Sequence, residues 1–168
     1  MELMFYLAGA VAVLATARVI AGLNAVPALL YLVVSLLAVA LLFYLLGAPF
    51  AAALEVLIYA GAIMVLFVFV TMMLNLGPQA AAQERAWLSP RSWAGPALLA
   101  ALLLAELAVV LFNGGASAAR GAPSDPKEVG IALFGPYLLG VELASMLLLA
   151  ALVGACHLGW RDPRHGEG

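Results

Sequence analysis

The chain has 168 residues, of which 67% are hydrophobic and 10% charged, with a mean hydropathy of +1.14 and a formal net charge of −2. A soluble domain carries about 25% charged and about 45–50% apolar residues, so an ordinary globular enzyme is excluded. Nothing in this balance offers a basic face to nucleic acid. Charge is also confined: 36 residues between Arg18 and Glu55, and 28 between Glu55 and Glu84, carry none. Runs of that length fit transmembrane helices, because about 20 residues at 1.5 Å each cross the hydrocarbon. The sequence therefore predicts an all-α integral membrane protein, one membrane domain over 1–168.

Five spans follow in order. The first covers 3–22 and is expected to stop at Asn24-Ala25-Val26-Pro27, where proline removes a backbone donor and crowds the residue before it. The second covers 28–46 and closes on Gly47-Ala48-Pro49, a turn so short that spans two and three must be antiparallel neighbours. The third covers 50–76 and ends at Gly77-Pro78, before a polar loop over 77–92. The fourth covers 93–112. A second loop over 113–132 holds Arg120, Pro123, Asp125, Pro126, Lys127 and Glu128, and the fifth span covers 133–160 ahead of a charged tail, 161–168.

Lys and Arg set the orientation. With the N-terminus outside, Arg18, Arg85, Arg91, Arg161 and Arg164 flank the cytoplasmic face, and Arg120 and Lys127 flank the outer one. The N-terminus is expected outside and the C-terminus in the cytoplasm. Trp87, Trp93 and Trp160 then fall near the cytoplasmic ends, as an interfacial aromatic belt requires.

Catalytic and metal-binding signatures are missing from the sequence. Cys156 is the single cysteine, which leaves no internal disulfide, CxxC pair or iron–sulfur cluster ligated by this chain alone. His157 and His165 lie outside any central membrane position, and no glycine-rich nucleotide loop, GxSxG or HExxH is present. No cofactor, metal or catalytic centre is assigned to this chain.

Intramembrane charge is where chemistry is expected. Arg18 sits in the last turn of the first span and can snorkel to the interface. Glu55 lies five residues past Phe50, about 8 Å along the helix, and Glu106 and Glu142 also fall in the outer half of the bilayer. Such groups are costly in lipid and face protein or water; each is either neutral, hydrogen-bonded to a neighbouring helix, or part of a polar path. Glu55 and Tyr59, four apart, share an α-helical face and could exchange a hydrogen bond. Tyr59-Ala60-Gly61-Ala62 then places three small residues at mid-span, where another backbone can approach and a bulge or register change is easiest. A static packing groove is the alternative.

From Leu54 to Leu76 the third span, with its LEVLIYAGAIMVLFVFVTMMLNL run, resembles the third helix of the subunit J family of bacterial respiratory NADH-quinone oxidoreductase (complex I), the counterpart of mitochondrial NADH dehydrogenase subunit 6. Further blocks are similar in order: Ala25-Val26-Pro27-Ala28-Leu29-Leu30-Tyr31-Leu32, then Gln83-Glu84-Arg85-Ala86-Trp87-Leu88, then Val129 to Tyr137 and Val141 to Leu149. The resemblance implies a membrane-arm subunit without redox centres, in a complex that uses FMN, iron–sulfur clusters, NADH and a quinone elsewhere. Its implied partners are the subunit at the quinone junction, the small three-helix subunit K and neighbouring membrane subunits, in the bacterial inner membrane. It also implies a third helix that interconverts between π and α forms. Carried onto this sequence, the positions are Tyr59, Gly61, Val65 and Phe67, with Glu55 one turn before. Thr71 departs from the aliphatic residue expected there and can bond back to a preceding carbonyl.

Two other functions compete with this reading. A small autonomous permease would need a polar path toward the cytoplasm, yet the inner halves hold little beyond Thr71 and Asn75. A scaffold that only seals helices together would need no moving part.

Overall fold

The computed structural model describes residues 2–22, 25–74, 90–112 and 124–159. Arg85, Trp87, Arg120, Trp160 and the tail 161–168 lie outside the described residues. Five helices are long and apolar enough to cross a membrane: Glu2–Ala21, Val26–Leu45, Pro49–Met73, Trp93–Phe112 and Leu138–Gly159. The elements are α1 (Glu2–Ala21), α2 (Ala25–Leu45), α3 (Pro49–Leu54), a π-helical segment (Glu55–Ile63), α4 (Met64–Leu74), α5 (Pro90–Phe112), α6 (Pro126–Leu133) and α7 (Leu138–Gly159). They fall into two units, one ending at Ser124 and one starting at Asp125.

The first unit is built on α1 against α2. Ala8, Val11, Ala12 and Ala15, at spacings of three, one and three along α1, are buried against Val34, Ala38, Leu41 and Leu45 of α2, and Leu103 and Val110 of α5 complete the cluster. Alanine at these spacings makes a shallow stripe, and shallow stripes let helix backbones approach so that dispersion contacts hold them together in lipid. Hydroxyls add a directional contact. Thr16 Oγ1 lies 2.8 Å from Ser35 Oγ, and both oxygens are within reach of the Ala12 carbonyl oxygen, at 2.9 and 3.3 Å. At the other contact of α2, a Cβ built on Gly95 of α5 would collide with the Tyr31 hydroxyl, so glycine is what lets that ring sit against the helix.

The turn between α2 and α3 follows from one glycine. Gly47 adopts φ 84°, the left-handed conformation that only glycine reaches without strain. Its N–H donates to the Tyr44 carbonyl at 3.1 Å and the Ala48 N–H to the Phe43 carbonyl at 2.9 Å. That is a Schellman closure of α2. Pro49 then opens α3 at a position where no intrahelical donor is needed.

Three features differ from the sequence expectation. Pro27 does not mark the gap between two helices; α2 starts at Ala25, and Pro27 occupies its first turn. A first-turn N–H has no intrahelical acceptor, so proline there removes nothing. Pro96 is likewise inside α5 and does not break it, a tolerance common in membrane helices. The 113–132 region is not loop throughout, since α6 forms over Pro126–Leu133. Asp125 caps it, its Oδ1 accepting from the Lys127 N–H at 3.2 Å, with Pro126 in the first turn.

The fifth span does not start at residue 133. A turn over residues 134–137 separates α6 from α7 in the second unit. Pro136 has no N–H to give the Ala132 carbonyl four residues back, and the Tyr137 N–H reaches that carbonyl instead, at 3.1 Å. Gly135 is required alongside it: a Cβ there would stand 2.8 Å from the Ile131 carbonyl oxygen. No residue of α7 is buried. A helix apolar on all sides belongs in lipid or against other chains.

Candidate functional site

The third span is one continuous rod made in two registers. Leu54 and Met64, at its π boundaries, both hold ordinary right-handed helical angles (φ −63°, ψ −40° and φ −67°, ψ −38°). The Glu55 N–H still donates four residues back, to the Ala51 carbonyl. By Met64 the N–H is shared between the Gly61 carbonyl, three residues back, and the Tyr59 carbonyl, five residues back. Nine residues, Glu55–Ile63, are therefore wound wide, where most π segments are a single turn and mark functional sites. The small residues Ala60, Gly61 and Ala62 lie within the wide stretch, which is where the backbone has least to displace. A Cβ on Gly61 would sit 3.2 Å from the Val56 carbonyl oxygen, a tight approach that glycine avoids.

Winding changes which residues share a face. Bonding five residues back adds about one residue to each turn, so each residue turns the chain by roughly 80° rather than 100°. No hydrogen bond joins Glu55 to Tyr59, although each is a described residue. The expected carboxyl–phenol bond is absent in the π register. Tyr59 is 49% exposed and no side chain of the π segment is fully buried, although the segment lies against α2. Val65 and Phe67 follow in α4 and are also exposed, while Met64 between them and the π segment is buried. Thr71 Oγ1 donates to the Val68 carbonyl at 2.9 Å, so its hydroxyl is satisfied within the helix.

The other two carboxyls are not brought to this site. Glu142 is exposed on α7 in the second unit, where its own carbonyl accepts from Ser145 Oγ at 2.7 Å. Glu106 is buried on α5, 7% exposed, with neither carboxyl oxygen hydrogen-bonded among the described residues. Of the readings open for Glu106, a hydrogen bond to a neighbouring helix of this chain is not found.

A feature that sequence did not reveal borders the start of the π segment. An apolar cavity of about 430 Å³ lies between α2, α3 and α5, its walls including Leu41, Tyr44, Ala52, Val56, Leu103 and Leu107. Val56 is the second residue of the wide stretch. No local pattern signals such a cavity, because its walls come from residues up to 70 positions apart, from Leu37 to Leu107.

Compared with known proteins, residues 15–158 match the family model described as NADH-ubiquinone/plastoquinone oxidoreductase chain 6. The chain belongs to that family. Among relatives in it, the NADH-quinone oxidoreductase subunit J of Pseudomonas aeruginosa is 62% identical, over 98% of this chain and 99% of its own length. The Escherichia coli (strain K12) protein of the same name is 56% identical, over 99% of this chain and 90% of its own. That of Buchnera aphidicola subsp. Schizaphis graminum is 51% identical, over 95% and 98%. Membership of the chain 6 family agrees with a multi-pass, all-helical membrane chain and does not favour an autonomous permease.

Proposed function

We propose that this chain is a membrane-arm subunit of the proton-translocating NADH:quinone oxidoreductase and that it helps couple quinone reduction to proton movement by changing the register of its third span. The relatives named subunit J, matched over nearly their full length, support membership of the complex. The observation that carries the coupling role is the nine-residue π stretch held between two α-helical segments of one span. Converting the π stretch to α-helix makes each N–H bond four residues back rather than five, which turns every side chain on one end of the rod relative to the other. Glu55 and Tyr59 keep their four-residue spacing but take the α-helical pairing geometry, in which such side chains can interact. A carboxyl and a phenol brought together at membrane depth can hold water or pass a proton, and in the π register they do neither with each other.

Redox chemistry resides on the other subunits' flavin, iron–sulfur clusters and quinone site. This chain supplies a movable surface, placed beside the quinone-junction subunit and the three-helix subunit K, in the bacterial inner membrane with its N-terminus outside. Tyr59, Val65 and Phe67 are exposed on that surface, consistent with contacts made to neighbouring chains. Glu55→Gln tests the role, because glutamine keeps shape and most hydrogen bonding but cannot ionise. The complex should assemble and its peripheral arm should oxidise NADH, while proton translocation per electron falls. Normal stoichiometry in assembled Glu55→Gln complexes would leave Glu55 as a packing residue. Labelling of a cysteine at 120 from the periplasm and at 85 from the cytoplasm tests the orientation.

A further inference from the structure

Glu106 is unlike every other acidic side chain described in the protein. It is buried among apolar neighbours on the face of α5 that carries Leu103 and Val110 into the α1–α2 core, and both its oxygens are closed to solvent and unbonded among the described residues. The helices packed on α5 are α1 and α2. Their titratable and charged side chains are Glu2, Tyr6 and Arg18, and Tyr31 and Tyr44; none of these bonds to Glu106. Tyr31 stands against Gly95, eleven residues and so roughly 16 Å before Glu106 along α5. Glu55, on the π segment, does not bond to Glu106 either.

Four completions of such a group can be weighed. Ionised and unpaired, it would cost several kcal/mol at this depth. A partner from another subunit cannot reach oxygens that the chain itself covers. A metal ion would need about six oxygens, and no group of three His, Cys, Asp or Glu gathers among the described residues. A proton needs one oxygen, neutralises the charge, and leaves only the smaller penalty of a buried polar group.

We propose that Glu106 is a proton-binding site in the α1–α2–α5 core, separate from the Glu55–Tyr59 stretch, and that it holds its proton in the resting protein. Leu103, one turn before it, belongs both to the core cluster and to the wall of the apolar cavity. The open space nearest Glu106 on that side is therefore lined by aliphatic side chains and Tyr44, and offers an ionised carboxylate no charged partner. This assignment does not depend on the π stretch being mobile.

Infrared spectroscopy on the assembly purified from native membranes decides it. The wild-type minus Glu106→Leu difference spectrum should contain the carbonyl stretch of one protonated carboxyl and no carboxylate bands. Glu106→Gln should lose the same band, which guards against a Leu variant that repacks. Glu106→Leu should also assemble to wild-type abundance, since a neutral buried acid can be replaced by a hydrocarbon of similar volume without loss. Carboxylate bands in the difference spectrum would overturn the proposal. So would loss of assembly in both Glu106→Leu and Glu106→Gln, which would mean that the charge is needed by a partner.

Discussion

The α1–α2 hairpin and the third span are both strings of small and aliphatic residues, yet they are held in opposite ways. In the hairpin the small residues face inward: Ala8, Ala12, Ala15 and Ala38 are buried, and the Thr16–Ser35 contact fixes the register between the helices. In the π stretch Ala60, Gly61 and Ala62 are not buried, and no side chain between Glu55 and Ile63 is locked in a core. A helix packed on both neighbours keeps the α form, because rewinding would turn every buried side chain out of its place. One whose fully buried residues are only Ala52 below and Met64 above can be rewound between those two anchors. On the proposed reading small residues mean rigidity in one element and freedom in the other, and burial decides which.

The sharpest way to break this contrast is to enlarge a small residue on each side. Ala38→Leu should destabilise the chain by roughly 1–3 kcal/mol through overpacking, read as lost abundance of the assembled complex. Gly61→Leu should spare assembly far more and instead lower proton translocation, by more than Leu57→Ala does. Equal loss of assembly in Ala38→Leu and Gly61→Leu would erase the distinction.

A smaller change sharpens it. Gly61→Ala removes backbone freedom that a register change draws on, since alanine holds a helical conformation about 1 kcal/mol better than glycine. The new methyl also crowds the Val56 carbonyl oxygen of the π form, so both effects push the same way. Amide exchange over Glu55–Ile63 should slow in Gly61→Ala complexes, and unchanged exchange would count against mobility. The least effect is expected from Thr16→Val, about 0.6 kcal/mol for one interhelical hydroxyl bond, measured as a small drop in the thermal midpoint of the complex.

Much of this was legible beforehand, and the reasons for the remainder are physical. Five spans follow from hydropathy because lipid leaves the backbone no other way to satisfy its polar groups. Tyr59-Ala60-Gly61-Ala62 marked where a register change is cheapest, and the wide turn includes it. Its extension back to Glu55 was not legible, since α and π registers differ by one residue per turn and impose no different sequence period over two turns. The absence of a Glu55–Tyr59 bond was not legible either, because side chains four apart lie near one another in both registers and only the structure shows whether they bond. Glu106 and Glu142 each interrupt a leucine-rich helix and look alike in sequence, yet one is buried and one exposed. Which face is buried depends on where α1 and α2 lie, and that is tertiary. Likewise Pro27 reads as a helix stop until it is seen in a first turn, where proline is harmless.

The central claim is that Glu55–Ile63 changes register while the hairpin beside it does not. Density for the backbone carbonyls of residues 51–64 in the assembled complex, compared between resting and turning-over samples, tests this directly. The account predicts that the Met64 N–H bonds to the Tyr59 carbonyl in one state and to the Ala60 carbonyl in the other, with the Thr16–Ser35 contact unchanged. The same five-residue bond in both states would contradict it.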